Sequence, residues 1–211
     1  MLFLVIRSGI LIGYALLIMT ILLPVKPFTL PLPKRVAFFA GSFLIFGLQL
    51  LFPIYINIQL YGTYYLFFAQ LPTFLFFLWI ANRGVLKTLF LLLTTIFLSA
   101  PGMTVSRICT EYLSLPTALS LFCVCLTDGI LLWLIWHYMR PGILYILDNS
   151  STEELLQFIS VPLLYDLLLL VTGGYLASKE WIGLRLLITL STMIAYLLLM
   201  HVIYRTQALH Q

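Results

Sequence analysis

The stretch Ala118-Leu-Ser-Leu-Phe-Cys-Val-Cys-Leu-Thr-Asp-Gly-Ile-Leu-Leu-Trp-Leu-Ile-Trp-His-Tyr-Met139 decides the fold class. It runs for 22 residues with one acidic side chain, Asp128, and no Lys or Arg. A helix of about 20 apolar residues crosses the ~30 Å hydrocarbon core of a bilayer, and a soluble helix has no need of an all-round apolar surface. The stretch reads as a membrane span.

Outward from it, similar windows fall at 2–23, 36–56, 64–80, 86–105, 155–175 and 181–204. Together they predict an all-α fold, a polytopic transmembrane bundle of about seven helices. The joints are expected at Pro24–Arg35, Asn57–Gly62, Ala81–Gly84, Ser106–Thr117, Arg140–Glu154 and Leu176–Glu180. The first holds Pro24, Pro27, Pro31 and Pro33, which interrupt helical hydrogen bonding. Composition agrees: only 9% of the 211 residues are charged, against about 25% in soluble domains, and mean hydropathy is +1.11. The apolar run after Arg7 lacks a small-residue cleavage pattern, so it reads as the first span rather than a removable signal.

Basic residues set the expected orientation. Seven (Lys26, Lys34, Arg35, Arg83, Lys87, Arg140, Arg205) fall on one side, and four (Arg7, Arg107, Lys179, Arg185) on the other. This predicts an outer N-terminus and a cytoplasmic C-terminus. Residues 1–204 form the expected membrane domain and 205–211 a cytoplasmic tail. The basic residues are scattered, so no nucleic-acid surface is expected. Tyr55, Tyr61, Tyr64, Tyr65 and Trp181 suit the headgroup layer.

Ionisable groups inside spans are costly and therefore informative. Asp128 and Asp166 lie near the middle of the fifth and sixth windows, at similar expected depth; Arg7 and Arg185 enter about one turn from the outer side. Three readings stay open. An acid pairs with an arginine and pins the bundle; Arg7, Arg107 or Arg185 meets an anionic ligand from outside; or the two acids relay a proton or ion. Gln49, Gln70 and His201 suit hydrogen bonding between helices.

Motifs of soluble catalysis are absent: no phosphate loop, no dinucleotide fingerprint, no H-E-x-x-H helix. His137, His201 and His210 are dispersed, and Cys123 and Cys125 point to different helix faces, so neither set promises a metal site. Cys109 has no evident partner in the sequence. No enzyme activity, cofactor or metal is expected.

Several short motifs occur in order: Leu71-Pro-Thr-Phe74, Asn82-Arg-Gly84 leading into Lys87-Thr-Leu-Phe-Leu-Leu-Leu-Thr-Thr95, Tyr138-Met-Arg-Pro141, Ser160-Val-Pro-Leu-Leu-Tyr165 and Tyr204-Arg-Thr-Gln207. This arrangement resembles the N-terminal membrane sensor region of the GHKL-type sensor histidine kinases of Firmicutes, the group that includes the quorum-sensing AgrC-like receptors. The resemblance implies reception of an extracellular cue, such as a peptide, by a homodimer that signals to a cytoplasmic kinase domain. Here the sequence ends at Gln211, before a kinase core, and His210 has no phosphoacceptor motif around it. A fragment, an isolated sensor region or a kinase-less relative is expected. Within that reading, the ligand surface is expected on the outer connections 57–65 and 106–115, with Arg107 and Glu111 as polar contacts. A small transporter, or a substrate-binding membrane subunit of one, is the rival reading; the absence of an internal repeat counts against it.

Overall fold

A computed structural model describes residues 2–24, 27–55, 66–171 and 182–208. These residues form seven α-helices and no strand. They are α1 (Leu2–Leu22), α2 (Leu32–Tyr55), α3 (Leu71–Ala81), α4 (Val85–Arg107), α5 (Thr117–Asn149), α6 (Thr152–Val171) and α7 (Ile182–Ala208). The expected joints Asn57–Gly62 and Leu176–Glu180, with Tyr61, Tyr64, Tyr65, Trp181 and Lys179, lie outside the described residues.

Five helical stretches are long and apolar enough to cross a membrane: 5–22, 32–51, 85–110, 117–149 and 183–203. The third and sixth expected spans correspond to the shorter α3, preceded by a π turn at Leu66–Gln70, and to α6, which carries Glu153, Glu154 and Asp166. Leu, Phe and Trp side chains such as Phe43, Trp79, Phe122, Trp133, Leu164 and Leu187 stand exposed along the helices. Exposed apolar surface on this scale faces lipid, and helices satisfy their own backbone groups there. The span in α4 differs from the others: 72% of it is buried, against 11% to 28% for the other four.

Local chemistry explains the helix ends. Asn82 takes a left-handed conformation (φ 49°) and its N–H bonds Leu78 O, closing α3; Gly84 at φ 87° completes the turn into α4. Ser151 and Glu154 make a reciprocal capping box at the start of α6, with the Ser151 N–H donating to Glu154 Oε2 at 2.8 Å. Pro33 sits in the first turn of α2, where a missing N–H costs nothing.

Three joints are shorter than expected; the first ends before Leu32, where α2 begins. Arg140-Pro141 does not end the fifth helix; α5 runs on to Asn149 through a π turn at Ile135–Met139. In that turn the Arg140 N–H bonds Ile135 O, five residues back, so Pro141 enters at the start of a re-phased ladder where its N–H is not required. Likewise α4 extends through a second π turn, Ile108–Tyr112, leaving 113–116 as the connection to α5.

The chain divides into two compact units, Met1–Leu92 and Leu93–Gln211. In the first, Phe46 and Leu50 of α2 pack over Gly9 of α1, and Phe76 of α3 presses on Gly41 of α2. Gln49 donates to Thr73 Oγ1 at 3.0 Å, an interhelical bond of the kind expected for this residue. In the second unit, Phe97 of α4 is wholly buried and meets two tyrosines edge-on: Tyr165 of α6 at 4.9 Å and Tyr196 of α7 at 5.2 Å. Such T-shaped contacts place the positive ring edge against the negative face of the neighbour. α7 continues without interruption through the boundary expected at residue 204.

Candidate functional site

The polar groups that matter lie in the unit 93–211. Tyr196, 1% exposed, has its hydroxyl 3.3 Å from Thr94 Oγ1, bridging α7 and α4. Tyr165 reaches from α6 to α7, with its hydroxyl 2.7 Å from Thr189 Oγ1. Thr189 in turn donates to Arg185 O, one turn earlier. The Arg185 guanidinium and the Asp166 carboxyl both act electrostatically on Tyr165. Together, Tyr165, Asp166, Arg185 and Thr189 form a polar cluster between α6 and α7. In it a buried tyrosine and a buried threonine satisfy each other's hydroxyls across the helix pair.

Asp128 occupies a different place. It is 4% exposed on the α5 face formed by Ser120, Val124, Asp128 and Leu131. Its Oδ1 lies where a Cβ on Gly102 of α4 would stand, so this contact exists only because residue 102 has no side chain. Neither carboxyl oxygen has a hydrogen-bond partner among the described residues, and the same holds for the buried hydroxyls of Ser106 and Ser120. Gly102 and Ser106 are four residues apart and share one face of α4. Pro101 precedes this contact and removes one rung of the α4 ladder.

The remaining expected site residues are dispersed. Arg7 is half-buried in α1, in the other unit. Arg107 is half-buried at the end of α4. Glu111 falls in the π turn Ile108–Tyr112, its side chain outside the described part; the connection 57–65 lies outside it too. The structure thus brings Asp166 and Arg185 around one tyrosine and sets Asp128 against a glycine.

Three features were not found from sequence. The Thr94–Tyr196 and Tyr165–Thr189 pairs join residues 102 and 24 positions apart, and no local pattern announces them. The Gly102 contact had a signal, the small-xxx-small spacing of Gly102 and Ser106 within an apolar run. Cys109, without an evident partner in the sequence, has its thiol close enough to that of Cys123 for the two to interact. Among the described residues no group of three or more His, Cys, Asp or Glu is placed to hold a metal.

No family model, curated protein or solved structure matches this chain.

Proposed function

We propose that this chain is a membrane-embedded sensory module, similar to the sensor region of GHKL-type histidine kinases. An extracellular cue is received on the outer side, and the last helix carries the change to a cytoplasmic output; two copies act as a dimer.

The observation that supports this most is the course of α7. The helix is tied to its neighbours at Thr189 and Tyr196, inside the apolar window 183–203. It then continues unbroken past that window to Ala208, with Arg205 and Thr206 exposed. Its 27 residues span about 40 Å, longer than the ~30 Å hydrocarbon core. A helix held by buried polar bonds at one level and projecting beyond the apolar zone at another converts repacking inside into rotation or translation outside. A cue acts on it only by binding one packing of the bundle better than the other.

The test is a phase scan. A reporter kinase core is fused after Ala208 with zero to six inserted residues, and autophosphorylation is measured in membranes. The reading expects activity to oscillate with a period of about 3.6 residues and the Y196F variant to shift its level. Activity indifferent to both insertion length and Y196F would overturn it, and would leave the transporter reading to be tested by uptake.

A further inference from the structure

We propose that Asp128 is a proton-binding site built into the contact between α4 and α5: with the proton bound, α5 lies against Gly102, and without it the two helices part at that level.

The proposal goes beyond the sensory reading and does not depend on it. It rests on three observations. First, Asp128 is 4% exposed, and neither oxygen of its carboxyl has a partner among the described residues. A charge on so buried and unbonded a carboxyl is expensive, whereas a neutral acid costs far less. Second, the group that meets the carboxyl is the Cα of Gly102, which supplies no titratable or charged atom. Along the same faces, one turn away on either helix, stand Leu98 and Ser106 on α4 and Val124 and Leu131 on α5, all neutral. A metal cation needs several oxygen ligands at about 2–2.6 Å. Among the described residues no group of three or more His, Cys, Asp or Glu is placed to supply them, whereas a proton needs only the carboxyl itself.

Third, the contact has further buried polar atoms towards one end and a built-in hinge. The buried hydroxyls of Ser106 and Ser120 also lack partners among the described residues, and both lie from Asp128 and Gly102 towards the connection 113–116. They are displaced by about 6 Å along α4 and about 12 Å along α5, respectively. Neither hydroxyl is hydrogen-bonded to the carboxyl; they mark the end of the contact at which the next buried polar atoms stand. Binding forms one O–H bond on Asp128 with a proton from water; no electron moves. Pro101, next to Gly102, lowers the cost of bending α4 there.

The experiment is infrared spectroscopy of the full chain in nanodiscs, with aspartate carboxyls carbon-13 labelled, titrated from acid to alkaline pH. Amide hydrogen exchange of residues 98–106 is followed in parallel. The expected result is a labelled acid-carbonyl signal that is lost in D128N and kept in D166N. Exchange at 98–106 should rise as that signal disappears in the wild type and stay flat in D128N. Should D128N fail to fold, D128E must shift the signal rather than leave it unchanged. An acid-carbonyl spectrum identical in wild type and D128N would overturn the proposal. So would displacement of the signal by sodium at constant pH, which would make this a cation site.

Discussion

Gly142 of α5 and Met200 of α7 approach so closely that a Cβ on the glycine would stand 2.8 Å from the Met200 carbonyl oxygen. Real Cβ atoms essentially never come that close to backbone, so Gly142→Ala must push α7 away or strain the helix pair. We expect a loss of about 1–3 kcal/mol in thermal or denaturant unfolding of the purified protein. In the fused reporter the same substitution should alter kinase output if, as proposed, α7 is the element that carries the signal.

Gly102→Ala collides with the Asp128 carboxyl. It should cost about 1–3 kcal/mol alone. Most of that cost should vanish in the D128A background, where the opposing side chain has been cut back. A double-mutant cycle on unfolding free energy reads the coupling directly, and additive effects would mean that the two residues do not touch.

The bond between Tyr165 and Thr189 is short and buried at 2.7 Å. Interhelical hydrogen bonds in membranes are worth about 0.6 kcal/mol on average and up to about 1.7. A cycle of Tyr165→Phe and Thr189→Val should give a coupling within that range. Thr189→Val also removes the bond to Arg185 O, so the coupling from the cycle, and not the single variant, reports the Tyr165–Thr189 bond.

The thiols of Cys109 and Cys123 lie close enough to interact, while Cys125 is exposed on the same helix as Cys123. A membrane-permeant disulfide donor should therefore join Cys109 to Cys123 and leave Cys125 alkylatable. Peptide mapping under non-reducing conditions checks this. A Cys123–Cys125 product, or none, would show that the π turn after α4 lies elsewhere.

The membrane character of the fold was legible because it is a bulk property. A run such as 118–139 has one low-energy solvent, and no tertiary detail changes that. Helix ends were legible where a residue acts locally, as Asn82 and Gly84 do, and illegible at Arg140-Pro141, where the π turn moves the hydrogen-bond ladder before the proline arrives. Asp128 could be singled out as a buried acid from its position, but its neighbour could not. Which of many small residues it faces depends on the packing of α4 on α5, and that is fixed by side chains distant in sequence. The same reason hid Thr94 from Tyr196. Asp166 and Arg185 were both visible as candidates; Tyr165 was not, since a tyrosine in an apolar run is ordinary until its hydroxyl finds a partner.

The central claim is that α7 leaves the bilayer on the cytoplasmic side and delivers the signal there. The most direct measurement places a single cysteine at residue 205, in a background lacking Cys109, Cys123 and Cys125, and treats cells with a membrane-impermeant maleimide. Labelling of R205C only after the cells are permeabilised is the predicted result. Labelling in intact cells would put the end of α7 outside and contradict the account.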